Sequence, residues 1–231
     1  MEIQKSGKRA VLLGATGLVG SHLLQLLLSH QAYEKVKVIA RKPNPGYNSE
    51  KLEWLVDSMK DWDTVSSMIS GDDLYITIGT TIKNAGSREA FREIDHDLVF
   101  YIAKSGAVNG MRQLLLVSSV GADKDSIFFY NRVKGEIEEA VSALPFWAVH
   151  IFRPSVLLGE REEIRPLESI AQSLFSGADK VIGGSMGKYR PVSGGKVAKS
   201  MVYFAQLLEG GRHIHASDEI YNFTVSELLK D

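Results

Sequence analysis

Short apolar runs alternate with segments of helical periodicity over the first 150 residues of the chain. Segments 21–30, 88–104 and 130–144 are predicted as helices. Six unbroken apolar runs are predicted as strands: AVLL (10–13), VKVIA (36–40), LEWLV (52–56), LYITI (74–78), QLLLV (113–117) and AVHIF (148–152). Strands that are apolar on both sides and alternate with helices are typical of a parallel sheet covered on both faces. The pattern therefore predicts an α/β fold.

The periodic pattern loosens after Pro154. Glycines cluster at 181–195, apolar residues recur at helical spacing over 196–210, and EIYNF (219–223) is predicted as a last short strand. We expect one domain over residues 1–231, in which residues 155–231 form most of a lobe on the carboxyl edge of the sheet. Folds of this class bind their ligands at that edge.

Composition narrows the possible functions. A hydrophobic content of 44% with 24% charged residues is ordinary for a soluble globular protein. A net charge of −1 gives no reason to expect nucleic acid or an anionic membrane as a partner. No apolar run approaches the roughly 18–20 residues of a membrane span, and the N-terminus, MEIQKSGKR, has no hydrophobic signal core. The absence of cysteine excludes disulfides and thiolate ligands and fits a cytoplasmic location.

A glycine-rich turn, GATGLVG (14–20), joins the first predicted strand to the first predicted helix. Glycines at such a junction permit a tight turn, let the backbone approach a pyrophosphate and allow the helix to pack closely on the strand. The position of the turn makes it a stronger signal than three glycines alone. It predicts a dinucleotide site, the alternative being a glycine-rich turn without a ligand.

The second predicted strand ends in VIARKP, with Arg41 and Lys42 where NAD-binding units usually place an acidic residue. An acid would repel the additional phosphate of NADP, whereas a guanidinium would bind it through charge-assisted hydrogen bonds. The two cations therefore favour NADP(H). The alternative is a pair of solvated cations at the end of a strand.

One lysine lies on the apolar side of a predicted amphipathic helix, FYNRVKGEIEEAV (129–141). Val133 and Ile137 define the apolar stripe, and Lys134 falls within it, four residues after Tyr130. Residues four apart are neighbours on a helix, and a cation beside a phenol stabilises the phenolate. The pair Y-x-x-x-K therefore suits proton transfer to a carbonyl that is being reduced. The alternative is a lysine whose stem packs on the core while its ammonium reaches solvent.

Two further strand ends carry polar residues suited to the same chemistry. The fifth strand leads into Ser118 and Ser119, and a hydroxyl there could bind a substrate oxygen. The sixth ends at Arg153 and Pro154, at the junction with the predicted lobe. Four motifs follow one another at suitable intervals along the chain: the glycine turn, the two serines, Y-x-x-x-K and Arg-Pro. Their order favours the catalytic interpretation of the lysine.

GATGLVG, VIARKP, IGTTIKNAGSREAFREID (78–95), VSSVGAD and YNRVKGEIE together resemble the atypical short-chain dehydrogenase/reductases, in particular the HTATIP2 (TIP30)-like group. The resemblance covers residues 8–158 well and the remainder loosely. It implies a Rossmann-like, doubly wound parallel sheet with a small C-terminal substrate lobe, and NADP(H) as cofactor.

The resemblance also implies the residues of the site. The implied catalytic set is Ser119 or Ser118, with Tyr130 and Lys134. Asp57 would accept from the adenine amino group, although a solvated turn aspartate is nearly as good an interpretation. Asp95 stands where many relatives have an asparagine that holds a water for proton relay, which puts that relay in doubt. The implied cofactor-binding residues are Gly14, Thr16, Gly17, Leu18, Val19, Gly20, Arg41, Lys42, Asp57, Gly79, Thr80, Thr81, Tyr130, Lys134, Arg153 and Pro154.

Two competing signals are weaker. GGSMG (183–187) matches the turn of serine hydrolases, but Pro191 interrupts the helix which that turn requires. His213 and His215 alternate as on a strand, yet two histidines without a third ligand do not predict a metal site. We expect no metal and interpret the histidines as a surface pair.

The sequence thus predicts an NADP(H)-dependent oxidoreductase that transfers a hydride between nicotinamide and a small carbonyl or alcohol substrate. The alternative is an NADPH-binding regulatory protein that senses redox state and turns over little or no substrate. The expected partner is a small molecule, with no nucleic acid or membrane, in a monomer or homodimer. Residues 155–195 are expected to shape the substrate pocket, with Phe128, Phe129, Met186 and Tyr189 as walls.

Overall fold

A seven-stranded parallel sheet is the centre of the computed structural model, which describes residues 6–158 and 190–222. The strand order is β3-β2-β1-β4-β5-β6-β9, and every neighbouring pair is parallel. A separate parallel pair is formed by β7 and β8. The strands are β1 (Lys8–Leu13), β2 (Tyr33–Ala40), β3 (Leu52–Val56), β4 (Asp73–Ile76), β5 (Gln113–Val117), β6 (Ala148–Arg153), β7 (Leu157–Leu158), β8 (Val192–Ser193) and β9 (Gly211–Ala216).

Helices connect these strands and flank the sheet. The helix between β4 and β5 continues from α4 through a π-helical segment, Glu93–Leu98, into α5. The helices are α1 (Leu18–Ser29), α2 (Trp62–Met68), α3 (Ile82–Ala85), α4 (Arg88–Arg92), α5 (Val99–Val108), α6 (Phe129–Ser142), α7 (Gly194–Leu207) and α8 (Ser217–Asn222). No helix within the described ranges has the length and apolar character needed to cross a bilayer.

Hydrophobic cores lie on both faces of the sheet, because successive side chains of a strand point to opposite faces. Leu12 and Leu115 belong to one core, which α1 and α7 cover. Val11 and Leu116 belong to the other, which α2, α5 and α6 cover. The prediction of an α/β, Rossmann-like doubly wound parallel sheet is confirmed.

The predicted strand at 219–223 is wrong. The structure has helix α8 there, and the seventh strand of the sheet is β9, beside β6. Ser217 is followed by Asp218 and Glu219, and acidic residues in a first turn stabilise a helix. The sequence did not predict this strand because GRHIHA is a polar segment, and three of its six residues are exposed at the edge of the sheet.

Candidate functional site

The glycine turn brings the start of α1 tightly against the end of β1. Gly14 has φ +93°, and a β-carbon there would lie 2.6 Å from Thr77 Oγ1. A β-carbon at Gly20 would overlap the Gly14 carbonyl oxygen. Neither position admits a side chain, so two of the three glycines are required by the fold of the turn itself.

The first turn of α1 is suited to an anion. Its N-cap, Gly17, offers no side-chain hydrogen bond, and the first turn contains no acidic residue. The side chains of Leu18 and Val19 are buried, so these two residues present backbone N–H groups, while Thr16 is exposed beside them. Backbone donors at a helix N-terminus bind phosphate. The residues of this turn therefore fit the pyrophosphate of a dinucleotide.

The two predicted phosphate-binding cations follow β2 at the same edge of the sheet. Arg41 and Lys42 are exposed, and neither forms an ion pair within the described part of the chain. Asp57 lies beside them, since its backbone N–H donates to Ala40 O at 3.0 Å. Its Oδ1 accepts from the Met59 N–H at 2.6 Å, so one carboxylate oxygen stabilises a local turn.

The segment after β4 is held by hydrogen bonds of its own. The Thr80 N–H donates to Asp95 Oδ2 at 2.9 Å, and Thr81 Oγ1 accepts from the Asn84 N–H at 3.1 Å as the N-cap of α3. Gly79 is exposed at the start of this segment. Thr81 therefore stabilises the start of α3, and Gly79 is exposed at the edge of the sheet.

Lys134 lies inside the protein, and its partner is Asp95. The lysine is 5% exposed and the aspartate 0%, and Lys134 Nζ lies 2.6 Å from Asp95 Oδ1. Asp95 belongs to the π-helical segment, an irregularity frequent at functional sites. Tyr130 is half-buried one turn before Lys134, with its ring against Phe91 at a centroid distance of 5.3 Å. A buried ammonium thus has a buried counter-charge beside a partly accessible phenol.

The two serines after β5 differ in their surroundings. Ser118 is buried, and its hydroxyl donates to Glu138 Oε1 at 2.5 Å. Ser119 is half-buried, and within the described ranges the only hydrogen bond of its hydroxyl is to Val120 O at 3.3 Å. Of the two serines, Ser119 has the hydroxyl that a substrate could engage.

Arg153 and Pro154 also have partners within the fold. Arg153 Nε donates to Glu138 Oε1 at 3.0 Å, and its Nη2 donates to Oε2 at 2.5 Å. The Pro154 carbonyl oxygen accepts from the Val120 N–H at 3.0 Å. The charge of Arg153 is therefore matched inside the fold, and Pro154 fixes the turn that carries the serines.

Glu138 is a buried residue of this region that the sequence reasoning did not single out. Tyr130, Lys134 and Glu138 recur at intervals of four along α6, so they share one face of the helix. That face meets the π-helical segment through Lys134 and the ends of β5 and β6 through Glu138. The spacing Y-x-x-x-K-x-x-x-E was the available signal.

The fold brings the glycine turn, the segment after β4, the serines and the face of α6 to the carboxyl edge of one sheet. Phe129 lies near this edge, with the Arg88 guanidinium 5.4 Å from its ring centroid, and Phe128 is half-buried before it. Most of the predicted substrate segment, with Met186, Tyr189 and GGSMG, falls outside the described residues.

The interpretation of His213 and His215 as a surface pair is wrong. His215 is 4% exposed, and its Nε2 lies 3.1 Å from Nδ1 of buried His150. The rings of all three histidines stack, because His150 pairs with His213 across β6 and β9. Within the described ranges no three side chains are grouped as a metal ion would require.

Comparison with known proteins gives a family match and named relatives. Residues 14–144 match the family described as NAD(P)H-binding. The protein named fmp52, mitochondrial, of Emericella nidulans is 40% identical over 173 residues, which cover 72% of this chain and 74% of the relative. FMP52, mitochondrial, of Candida albicans is 36% identical over 84% of this chain and 86% of its own. These names do not single out the HTATIP2-like group.

Solved structures share the fold at low sequence identity. The Bordetella bronchiseptica enzyme WbmH, in complex with NAD+, has a TM-score of 0.67 and 16% identity, covering 91% of this chain and 76% of its own. A short chain dehydrogenase family protein from Francisella tularensis has a TM-score of 0.63 and 13% identity, covering 94% and 100%. At such identities the likeness shows the fold alone.

The expectation of a cytoplasmic location is contradicted by these relatives, whose names place them in mitochondria. The expectation came from the lack of cysteine and of a hydrophobic signal core. Neither feature distinguishes the cytoplasm from a mitochondrial compartment.

Proposed function

The chain belongs to the NAD(P)H-binding family, and from this premise we propose that it is an NADP(H)-dependent oxidoreductase of the atypical short-chain type, similar to the HTATIP2-like group. Its substrate is a small carbonyl or alcohol compound. The observation that carries the proposal is the buried Lys134 one turn after Tyr130, held by Asp95 at the carboxyl edge of the sheet. A buried ion pair beside an accessible phenol at a ligand-binding edge has a functional rationale that a surface lysine would lack.

Each side chain of the proposed set has a defined task in carbonyl reduction. Ser119 would donate a hydrogen bond to the carbonyl oxygen, and Tyr130 would deliver its hydroxyl proton to that oxygen. Lys134 would hold positive charge near the phenol as the proton leaves. A bound nicotinamide supplies the hydride.

The first prediction tests this assignment through Tyr130→Phe. The substitution keeps the ring against Phe91 and removes the proton donor. Turnover of a responsive aldehyde or ketone, followed by NADPH absorbance, should fall by roughly 10²–10⁴-fold. Affinity for NADPH should stay near that of the wild type. Tyr203→Phe, on α7 toward the amino edge of the sheet, removes a phenol away from the site and should leave turnover intact; an equal loss there, or none at Tyr130, would contradict the assignment.

The second prediction concerns the choice of cofactor. Arg41 and Lys42 support a preference for NADP(H), because they are exposed cations at the strand end that follows the glycine turn. Arg41→Gln should weaken NADPH binding by roughly one to two decades in a calorimetric titration, the size of a charge-assisted contact, and leave NADH binding unchanged. Arg212→Gln, on the opposite edge strand β9, is the matched control. Equal wild-type affinities for NADPH and NADH would refute the preference.

Asp95 favours a second candidate, an NADPH-binding regulatory protein. Its carboxylate neutralises Lys134, which opposes the stabilisation of a phenolate at Tyr130. A sensor would bind a protein partner with an affinity that differs between NADP+ and NADPH. A pull-down titration in each cofactor form would support the sensor if the affinities differ while a broad carbonyl panel shows no turnover.

A further inference from the structure

The loop between β2 and β3 carries the two proposed phosphate-binding cations and is anchored on the next strand. Trp54, in the middle of β3, pairs with Val38 of β2 in parallel register. Its indole Nε1–H donates to the Lys42 carbonyl oxygen at 3.0 Å. The backbone beside Arg41 is thus fixed to the edge strand by a side chain twelve residues further along the chain.

The rest of the loop is shaped by Asn44 and Tyr47. Asn44 Oδ1 accepts from the N–H groups of Gly46 at 3.0 Å and Tyr47 at 2.7 Å, and its Nδ2 donates to Tyr47 O at 2.7 Å. Gly46 has φ +113°, a backbone conformation that glycine adopts without strain and other residues rarely adopt. The Tyr47 ring stacks on Trp54 at 6.3 Å and 15°. The loop is therefore held by the turn at Asn44 and by the stacking of Tyr47 on Trp54.

This anchoring bears on ligand binding because flexible groups lose conformational freedom when they bind. A loop whose backbone is already fixed presents its cations with less entropy to lose, so its contacts yield more affinity. Trp54 is itself half-buried under the loop and packs against the core on the α1 side. Because the indole N–H of Trp54 donates to the Lys42 carbonyl oxygen, Trp54 would affect a ligand through the position of the loop.

We propose that Trp54 is a positioning residue for selectivity toward a phosphate on the adenosine ribose. It fixes the Lys42 carbonyl and thereby the placement of the Arg41 and Lys42 side chains. The inference rests on the proposed preference for NADP(H), and it adds a residue outside the glycine turn and the cations themselves. Its ligand class is an adenosine 2′-phosphate.

The test compares two fragments that differ by that phosphate, 2′,5′-ADP and 5′-AMP, in calorimetric titrations of the full chain. Trp54→Phe keeps an aromatic ring against Tyr47 and removes the indole donor. It should weaken 2′,5′-ADP by about three- to tenfold, the range of one net hydrogen bond, and leave 5′-AMP unchanged. Trp62→Phe, whose ring packs on Tyr101 of α5, is the matched control and should change neither.

A second arm asks whether Trp54 acts through the cations. In an Arg41→Gln/Lys42→Gln background, Trp54→Phe should have no further effect on 2′,5′-ADP, because nothing remains for the anchor to position. An additive loss, or equal weakening of both fragments, would overturn the inference. Asn44→Ala should reproduce the selective loss without altering the indole, which covers the case in which Trp54→Phe folds poorly.

The outcomes separate the two levels of the proposal. If the wild type binds 2′,5′-ADP no better than 5′-AMP, the NADP(H) preference itself is wrong, and the role of Trp54 is wrong with it. If the wild type prefers 2′,5′-ADP and Trp54→Phe retains that preference, only the positioning role is wrong.

Discussion

Lys134 and Asp95 form an ion pair that almost no water reaches. Removing an ammonium from water is expensive, and the sequence offered Tyr130 as the only nearby reason to bury one. The structure supplies a counter-charge from another helix, and the same carboxylate accepts the Thr80 N–H. One residue therefore connects the proton-transfer face of α6 to the segment after β4.

The third prediction concerns the stability of this pair. Asp95→Leu removes the buried counter-charge of Lys134 and should reduce the free energy of unfolding by roughly 3–5 kcal/mol. Adding Lys134→Met should restore most of the loss, because an apolar pair then replaces the ionic one. Urea unfolding of the two single variants and the double variant measures the coupling.

The exposed pair between Lys124 and Glu139, 2.7 Å apart, is the control. Glu139→Gln should leave the unfolding midpoint unchanged, because solvent screens an exposed pair. If Asp95→Leu behaves like Glu139→Gln, the lysine reaches solvent in solution, and the argument for a functional lysine loses its support.

At the scale of elements, α6 carries three polar side chains at intervals of four residues, next to the apolar stripe that packs on the core. Tyr130, Lys134 and Glu138 each meet a different neighbour, so the helix is positioned by specific contacts as well as by the packing of Val133 and Ile137. Apolar packing tolerates small shifts, whereas ion pairs and hydrogen bonds fix distances. The arrangement holds Tyr130 in place relative to the serines.

The fourth prediction compares two helical glycines. Gly20→Ala introduces a methyl group that would overlap the Gly14 carbonyl, so α1 must move away from β1. The free energy of unfolding should fall by about 1–3 kcal/mol, and the affinity for NADPH should fall as well. Gly195→Ala, in the first turn of α7, places its methyl group 3.8 Å from the His22 ring, an ordinary contact. That variant should be neutral or more stable by up to about 1 kcal/mol.

Thermal unfolding and cofactor titration of both variants provide the comparison. An undiminished affinity in Gly20→Ala would show that close approach of α1 to β1 is unnecessary for binding. The pyrophosphate assignment would then need another site.

At the scale of the whole molecule, the histidine stack joins the last strand to the sheet. The pKa of His150 is lowered from 6.5 to about 3. Burial is the largest cause, and the neighbouring His215 and His213 lower the pKa further. Glu219 faces the stack from α8, with Oε1 3.1 Å from His215 Nδ1. The native state therefore keeps His150 neutral at pH values where the unfolded chain takes up a proton.

The fifth prediction follows from this linkage. Because the native pKa lies below the unfolded value, the contribution of His150 is fully present above about pH 6.5 and is lost as the pH falls toward 3. The free energy of unfolding should be lower by about 2 kcal/mol at pH 5 than at pH 8 from this residue alone. His150→Gln should remove that part of the pH dependence, as measured by urea unfolding at both pH values.

His22→Gln replaces an exposed histidine of α1 and should keep the full pH dependence. A wild-type slope that survives in His150→Gln would assign the acid sensitivity to carboxylates instead. Loss of the slope in His22→Gln would assign it to the α1 surface.

The sequence by itself determined the order and type of most elements and the place of the dinucleotide turn. These features depend on local periodicity and on glycines close together in the chain, so they are written in short windows. The six predicted strands, the helix over 130–144 and the junction at 14–20 all correspond to elements of the structure. The four-residue spacing of Tyr130 and Lys134 was likewise readable, because a helix makes such residues neighbours.

Only the tertiary structure decided how side chains far apart in the chain pair. The partnership of Lys134 with Asp95, the engagement of Ser118 rather than Ser119 with Glu138, and the hold of Trp54 on Lys42 all join separate elements. His215 of β9 is buried only because β6 pairs with its strand and Phe204 of α7 packs on its ring. Burial and charge pairing depend on which elements pack against each other. A local sequence pattern describes the faces of one helix or strand and does not show which partner covers them.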